Sequence, residues 1–372
     1  MNFASPFALA LVAIVGLSLV GLPVAYAMIG GSILWLFLSG LDMGTAAEQL
    51  LNGMMASQLL LAIPLFILAA EFMNAGAIMD RLLRFCNAIV GRYRGGLAQV
   101  NVVQSIVFAS MSGSALADAA GSGKLMQSLM TRDGKYPPAY AAALTCASSV
   151  LGPIIPPSIP LVLYALVSDT SIGYLFLAGV VPGLLLGAVQ IALIAFTARR
   201  RRFPVEEKVP LRELPGITWR AMPALLMPVI LLGCLYSGIT TPTEAAAVAA
   251  LYALLVSAFL YRSVRPKDVY RSLATSARVT TSIGMLIAGA LVFNFVITAE
   301  NIPKTLSAMM KAHEMSPLAF LLFVNVLLIV LGCFLEGTTI ILIILPVLLP
   351  TAMFGLGEGA ILDELADHRA GL

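Results

Sequence analysis

Two short stretches of this chain combine small hydroxyl side chains with residues that interrupt a helix. Hydroxyl and backbone carbonyl oxygens are the ligands that hard cations prefer, and unwound backbone beside a half-helix supplies such oxygens without a full negative charge. Close helix packing would be the simpler explanation for a single serine, whereas a serine cluster combined with a proline-broken helix favours an ion site. The candidate ligands are Ser110, Ser112, Ser114, Ser148, Ser149, Gly152 and Ile155.

Two carboxylates stand close to expected helix starts, and each has competing explanations. Asp118 follows the first serine cluster, and an ionisable residue within a membrane is costly and usually functional. Because the dipole of a helix N-terminus also stabilises a carboxylate, ion coupling and a structural role both stay open for Asp118. Glu244 follows Thr241 by three residues, as in a capping box, and a structural role is the preferred interpretation.

The composition is that of a membrane protein. The chain has 372 residues, of which 60% are hydrophobic and 11% charged, and its mean hydropathy is +0.96. Soluble domains carry about 25% charged residues. Apolar runs of about 20 residues, the length that crosses a bilayer core, recur along the whole chain. We therefore expect an all-α, polytopic domain embedded in the lipid bilayer, and the formal net charge of +3 gives no reason to expect a nucleic-acid partner.

The sequence lacks the motifs of several large enzyme classes. It has no HExxH, GxSxG or Walker loop. Its four cysteines are scattered, and neither they nor its two histidines, His313 and His368, show metal-ligand spacing. An intramembrane enzyme would need paired aspartates or a serine–histidine pair at membrane depth, and Asp118 has no such partner. The prediction is a protein that is not an enzyme and has no cofactor.

The basic residues are concentrated in four segments, which hold nineteen of the 22 Lys and Arg. The positive-inside rule places all four on the cytoplasmic face. The apolar run 96–123 has such a segment on each side, yet it lacks the ~40 residues that two crossings need. It is therefore predicted to be a re-entrant hairpin with its tip at 110–115. Arg199–Arg202 are expected to anchor the end of a span, with anionic-lipid binding as the alternative. The four segments are 81–94, 124–135, 199–220 and 262–278.

The run 137–167 must cross the membrane once, but it is interrupted by helix breakers. Proline removes a backbone donor and kinks or ends a helix, so two half-helices are expected, near 138–151 and 160–167. Irregular backbone at membrane depth persists only where protein or water buries it. The unwound segment should therefore line a site or a cavity. The breakers are Gly152, Pro153, Pro156, Pro157 and Pro160.

The second half of the chain repeats this plan. Three apolar runs, 221–237, 240–261 and 279–298, precede the long run 317–350. An odd number of crossings per repeat makes the halves inverted, which is typical of secondary transporters. By symmetry 317–350 is a second hairpin with its tip at 336–339, although the charge pattern alone does not establish it. The predicted organisation is a first repeat at 1–198 with hairpin 96–123 and broken helix 137–167, a basic connector at 199–220, an incomplete second repeat at 221–351 and a polar tail at 352–372.

Five segments resemble the large membrane subunit of tripartite ATP-independent periplasmic (TRAP) transporters. The first two resemble that family's first hairpin and first broken helix, and the third resembles the span that follows. The fourth resembles a signature early in the second repeat, and the fifth resembles the second hairpin. The segments are MSGSALADAAGSGKLM (111–126), SSVLGPIIPPSIPLVLYA (148–165), SIGYLFLAGVVPGLLLG (171–187), TPTEAAAVAALYALL (241–255) and EGTTIILIILPVLLP (336–350).

The resemblance implies a sodium-coupled, elevator-type permease of the ion transporter superfamily, in which a mobile domain carries both hairpins and the broken helices past a fixed scaffold. It implies uptake of small organic acids, such as C4-dicarboxylates or sugar acids, across the bacterial inner membrane. The implied partners are a small membrane subunit and a periplasmic substrate-binding protein. Sodium is the only metal expected, as the coupling ion.

With sodium as that ion, the seven candidate ligands form a first sodium site. Gly337, Thr338 and Thr339 would supply half of a second one. Hairpin tips also present helix N-termini, whose free backbone donors attract carboxylates. Ser112, Ser114, Thr338 and Thr339 are therefore the expected substrate contacts.

The segment after residue 351 departs from the family pattern, which continues with another broken helix and at least one more span. Residues 352–372 are too polar to cross a membrane. We therefore expect a C-terminally truncated permease that lacks the other half of the second sodium site. The alternative function is a non-transporting remnant that still binds the small membrane subunit.

Overall fold

The computed structural model describes residues 5–56, 58–75, 78–201, 203–205, 209–210, 212–312, 316–333 and 335–355. Within these ranges the chain forms seventeen α-helices and no β-strand, which agrees with the all-α prediction. Most of the predicted polar tail, residues 356–372, lies outside the described residues, as do His313 and parts of the basic connector.

The helices follow one another with short connections. In the first half of the chain they are α1 (Pro6–Leu19), α2 (Val24–Leu38), α3 (Gly44–Ala56), α4 (Ala62–Ala75), α5 (Ile78–Val90), α6 (Gly96–Ser112), α7 (Ala115–Ala120), α8 (Ser122–Thr131), α9 (Pro138–Ser149) and α10 (Ile159–Ser168). In the second half they are α11 (Ile172–Arg201), α12 (Leu214–Tyr236), α13 (Pro242–Leu255), α14 (Pro266–Ala299), α15 (Ile302–Ala312), α16 (Pro317–Gly332) and α17 (Gly337–Gly355).

Four of the described helices are long and apolar enough to cross a membrane: α11, α12, α14, and α13 together with the π-helical turn that extends it to Leu260. Many of their large apolar side chains are exposed, among them Leu185 and Val229. In a water-soluble protein such surfaces would favour aggregation, whereas on a bilayer-spanning helix they contact lipid. The structure therefore fits a multi-pass membrane protein.

The helices extend further into the basic segments than the apolar pattern predicts. α12 begins at Leu214 instead of near residue 221, and α14 begins at Pro266 instead of near residue 279. The prediction that Arg220 and Arg271 lie in loops is therefore wrong. An apolar run marks only the part of a helix inside hydrocarbon, whereas its backbone hydrogen bonds can continue into the polar interface.

The first basic segment is not a simple loop either, because α5 occupies most of it. Ile78, Leu82 and Cys86 are buried on one side of α5, at the spacing of four that places residues on one helix face. Arg84, between them in sequence, is exposed. Such an amphipathic helix has a low mean hydropathy, so a search for apolar runs overlooks it. α3 and α15 were missed for the same reason.

The helices group into two compact units. The first contains residues 1–57, 166–169 and 281–372. Within it α1 packs against α2, and α17 packs against α15 and α16. The indole Nε1 of Trp35 donates a hydrogen bond of 2.7 Å to the Glu300 carboxylate, and the Trp35 ring meets that of Phe295 edge-on at 6.4 Å. These contacts join α2 to the end of α14.

The segment predicted as a second hairpin lies in this first unit. It forms α16 and α17, which pack against each other. Pro346 and Pro350 had been expected to interrupt the second arm, yet both lie inside α17. Each proline removes only one backbone donor, and neighbouring groups allow the helix to continue.

The second unit contains residues 58–165 and 170–280, and α6 lies at its centre. α6 packs against α4, α5, α8, α9 and α11. Its buried apolar residues, such as Val100 and Ala109, join Met126 and Leu151 in one core cluster. α4 packs against α13, and α12 packs against α5 and α13. Both serine clusters predicted from the sequence belong to this unit.

Candidate ion site at the hairpin tip

The tip of the first hairpin is a turn between two helix ends. α6 ends at Ser112, and Gly113 follows with a φ of 61°, a left-handed conformation that glycine adopts without strain. Ser114 then caps α7, because its Oγ accepts a hydrogen bond of 3.3 Å from the backbone N–H of Ala117. α7 and α8 both pack against α6. The chain therefore folds back on itself here, as the re-entrant prediction requires.

The predicted break in the next element is present. α9 ends at Ser149 and α10 begins at Ile159, close to the expected boundaries. Ser158 stabilises the irregular segment, because its hydroxyl donates to the carbonyl of Pro153 and accepts from the Leu161 N–H at 3.3 Å. With three prolines between residues 153 and 157, this segment cannot form the continuous helical hydrogen bonds that a span would use.

The tip and the break are in direct contact. A Cβ on Gly113 would lie 2.5 Å from the carbonyl oxygen of Pro157, and one on Gly152 would lie 3.0 Å from the carbonyl oxygen of Ser114. Both distances are too short for a real methyl group. Two glycines therefore allow the two backbones to approach closely. The structure thus brings together the halves of the predicted first site.

α11 supports the break from the other side. A Cβ on Gly179 would lie 2.5 Å from the carbonyl oxygen of Ile154, and one on Gly183 would lie 2.5 Å from Cγ1 of Ile155. These glycines are four residues apart and share one helix face. The predicted ligand Ile155 therefore has its side chain packed against α11. Its backbone N–H donates to the Leu151 carbonyl at 2.9 Å.

Buried polar side chains behind the tip connect α6 to α9. The Ser105 hydroxyl donates to that of Ser148 at 3.0 Å, and Ser148 donates to the Thr145 carbonyl at 3.1 Å. The Asn101 amide donates to the Thr145 hydroxyl at 3.3 Å. All four residues are at most 2% exposed. A hydroxyl that donates in this way keeps acceptor capacity, so Ser148 can still be a ligand.

Asp118 belongs to the same polar region. Its carboxylate is 1% exposed and accepts a hydrogen bond at Oδ1 from Ser122. Ser105 is the other hydroxyl close to it. Among the described residues, Oδ2 has no hydrogen-bond partner. A buried carboxylate oxygen without a partner is costly, and a bound cation or proton would remove that cost.

Ser112 shows the same deficit at the end of α6. It is 3% exposed, and its Oγ has no hydrogen-bond partner in the described part of the chain. By contrast, Ser110 donates to the Val107 carbonyl at 2.6 Å and Ser149 donates to the Cys146 carbonyl at 2.9 Å. Ser112 is therefore the member of the serine clusters whose hydroxyl most clearly needs a further partner.

The residues proposed for the second half-site lie in the first turn of α17. Thr339 is buried, and Gly337 is exposed. The Ile340 N–H donates to the Glu336 carbonyl at 3.1 Å, so this turn is regular helix. The roles of Gly337, Thr338 and Thr339 in binding sodium or substrate stay predictions.

The sequence-based site omits Asn101, Ser105, Ser122 and Thr145. A signal for them existed, because Asn101 and Ser105 are four residues apart, as are Asp118 and Ser122. Polar residues at that spacing in an otherwise apolar helix share one face. Pairing across helices depends on packing, however, and the spacing alone does not reveal it.

Comparison with known proteins gives the family. Residues 11–356 match the family model described as the DctM component of the tripartite ATP-independent periplasmic transporter. The chain is 44% identical to the C4-dicarboxylate TRAP transporter large permease protein DctM of Pseudomonas aeruginosa, over 79% of this chain and 69% of that protein. It is 38% identical to the sialic acid TRAP transporter large permease protein SiaM of Vibrio cholerae, over 91% and 79% of the two chains.

A third relative is named for another substrate. The 2,3-diketo-L-gulonate TRAP transporter large permease protein YiaN of Escherichia coli is 36% identical over 89% of this chain and 78% of that protein. All three relatives are large permease proteins, none of them an enzyme. Since the family model covers most of the chain, and these relatives match it over most of their own length, the chain belongs to the DctM family of membrane permeases of tripartite ATP-independent periplasmic transporters.

Proposed function

We propose that this chain is the large permease subunit of a sodium-coupled uptake system for small organic acids. The relatives are named for C4-dicarboxylates, sialic acid and 2,3-diketo-L-gulonate. These compounds differ in size and hydroxylation, but each carries a carboxylate. The shared chemistry supports an anionic organic acid as the substrate.

The observation that carries the sodium proposal is the pair of buried oxygens without partners, Ser112 Oγ and Asp118 Oδ2. Oxygen atoms without nitrogen or sulfur ligands suit a hard cation such as sodium. The hydroxyl of Ser148 and the carbonyls around Gly152 complete the proposed first site, and the serines at 110, 114 and 149 stay candidates beside them. Sodium bound there would compensate the Asp118 charge and hold the tip against the break.

The tip also supports anion binding. Ser114 uses its oxygen to accept from Ala117, so its hydroxyl proton is free to be donated to a substrate carboxylate. Ser112 and Ser114, with Thr338 and Thr339 of α17, are the proposed substrate contacts. A cation next to an anion-binding helix end provides a direct basis for coupling, because each charge favours the binding of the other.

The remaining parts of the proposal follow the family. We infer an elevator mechanism built on inverted repeats at 1–198 and 221–351, with a small membrane subunit and a periplasmic substrate-binding protein as partners in the bacterial inner membrane. The word tripartite in the family description supports the two partners, and the basic segments support the orientation.

The test is uptake into proteoliposomes that contain this chain, the small membrane subunit and the substrate-binding protein. We expect uptake of a labelled organic acid to require an inward sodium gradient. Asp118→Asn should raise the sodium concentration for half-maximal uptake about tenfold or more, because it removes the charge that sodium compensates. Asp133→Asn is the matched control, since Asp133 is exposed. Equal uptake with and without sodium would disprove the coupling.

A further inference from the structure

A cavity of about 530 Å³ lies in the second unit, away from the hairpin tip. It lies between α5, α12 and the segment that ends the α13 span. Three guanidinium groups line it against the single carboxylate of Asp80, so positive charge is in excess. The lining residues are Asp80, Arg81, Arg84, Ile217, Trp219, Arg220, Pro223, Leu260 and Tyr261.

The cavity wall is held in place by specific contacts. The guanidinium carbon of Arg81 lies 3.6 Å from the centre of the Tyr261 ring, a cation–π contact. The Tyr261 hydroxyl donates to the carbonyl of Arg220 at 2.8 Å. Arg81 on α5, Tyr261 after α13 and Arg220 on α12 are therefore linked. The arginine side chains are presented from a fixed frame.

The rim of the cavity is apolar and exposed. Trp219 is 78% exposed and Leu260 is 60% exposed. Tryptophan is enriched where a protein meets the polar boundary of a bilayer, since its ring is apolar and its N–H is polar. Because the basic segments belong on the cytoplasmic side, this rim lies at the cytoplasmic boundary of the membrane. A soluble anion would gain nothing from the exposed indole and leucine side chains.

From this juxtaposition we propose that the cavity binds the phosphate head group of an anionic phospholipid, with the acyl chains along Trp219 and Leu260. Planar guanidinium groups donate bidentate hydrogen bonds to phosphate oxygens. Anionic lipids also enrich the cytoplasmic leaflet and attract basic residues near its surface. Phosphatidylglycerol and cardiolipin have the required combination of phosphate charge and apolar chains.

The run Arg199–Arg202, which the sequence offered as an alternative lipid site, does not line this cavity. Two of its members already contact aromatic rings: Arg200 lies 4.4 Å from the centre of Phe196 and Arg201 lies 5.8 Å from that of Tyr140. Lipid binding is therefore assigned to the cavity.

The test uses the full chain, purified in a maltoside detergent, and phosphatidylglycerol with brominated acyl chains. Bromine quenches a nearby indole, and the chain has only two tryptophans. We expect saturable quenching that is lost in Trp219→Phe, and at least tenfold weaker quenching by brominated phosphatidylcholine. Equal affinities for the two lipids, or quenching that persists in Trp219→Phe, would disprove the site.

The arginine contribution is tested with the double variant Arg84→Gln, Arg220→Gln. Each surface arginine contributes about fivefold to the attraction of anionic lipid, so the apparent affinity should fall about 30-fold. Arg265→Gln with Lys267→Gln removes two exposed basic residues outside the cavity and should change it little. Replacing Arg84 and Arg220 by lysine should restore most of the affinity, which a folding defect would not allow. Equal losses in the cavity pair and the control pair would contradict the assignment.

Two further arms separate this ligand from other occupants. Glycerol phosphate carries the same head-group charge without acyl chains, and we expect it to displace the brominated lipid only weakly. Displacement at similar concentrations would identify a soluble phosphate as the ligand and overturn the proposal. Addition of the small membrane subunit should leave the quenching intact. Its loss on complex formation would show instead that the cavity is a protein interface.

Discussion

The hydroxyl of Ser105 donates a hydrogen bond of 3.0 Å to the hydroxyl of Ser148. This bond joins the first arm of the hairpin to the half-helix before the break, and both residues are at most 2% exposed. It forms part of the polar network behind the tip, so the geometry of the proposed ion site depends on it.

Removal of this bond should destabilise the protein measurably. Ser105→Ala leaves the Ser148 hydroxyl with one partner fewer, at a cost of about 1–2 kcal/mol in the free energy of unfolding. Ser148→Ala should cost a similar amount, and the double variant should cost less than the sum. Denaturation in detergent measures all three. Ser237→Ala, at an exposed serine that donates within its own helix, is the control. Strict additivity would show that the bond contributes nothing.

Ser112→Ala and Ser114→Ala should weaken the sodium dependence of uptake more than they weaken folding. The reason is the position of both hydroxyls at a buried tip that contacts the break near Gly152. Uptake by the reconstituted system, titrated with sodium, gives the dependence, and the thermal midpoint gives the folding effect. An unchanged sodium dependence after both substitutions would leave only backbone carbonyls as ligands in this turn.

Gly113→Ala should impair the protein more than Gly134→Ala. Both glycines have positive φ angles, of 61° and 68°, so a side chain adds about 1–2 kcal/mol of backbone strain at either position. Only Gly113 also lies against backbone, since the position of a Cβ on Gly134 is open. The difference between their thermal midpoints therefore isolates the close approach of tip and break. Equal midpoints would mean that the contact is unimportant.

Arg94 and Lys124 should both be accessible from the cytoplasm, because α6, α7 and α8 form a hairpin that enters and leaves on one side. Single cysteines at these two positions, in a background without the four native cysteines, can be labelled with a membrane-impermeant reagent in oriented vesicles. Labelling from opposite faces would exclude the re-entrant arrangement.

Thr241→Ala should lower the thermal midpoint without changing the sodium dependence. The complete capping box is present: the Thr241 N–H donates to the Glu244 carboxylate at 2.7 Å, and the Glu244 N–H donates to the Thr241 hydroxyl at 3.3 Å. Glu244 is thus engaged in holding the start of α13, as its spacing from Thr241 predicts. A change in sodium dependence with an unchanged midpoint would contradict this purely structural role.

The sequence predicts the hairpin and the break because each has a strong local cause. Basic residues flank 96–123 on both sides, and prolines concentrate between 153 and 160. Neither prediction requires knowledge of which helices touch. The same is true of the family, which the long hairpin and broken-helix segments indicate directly.

The polar network could not be predicted in the same way. Asn101 and Thr145 are 44 residues apart, and each lies in a run whose apolar neighbours indicate a span. Whether they meet depends on how α6 packs against α9, which a linear pattern does not contain. The amphipathic helix α5 was missed because its buried face is only one residue wide per turn. The continuation of α17 through two prolines likewise depends on the surrounding groups.

The glycine face of α11 has a consequence for variants remote from any ligand. Gly179 and Gly183 leave a channel just wide enough for the backbone at Ile154 and the side chain of Ile155. A methyl group at either position would act as a wedge and push the unwound segment toward the serines at the tip. Loss of ion selectivity could therefore arise from residues that never touch the ion, and a genetic screen for uncoupled transport should recover alleles in α11 as well as at the hairpin.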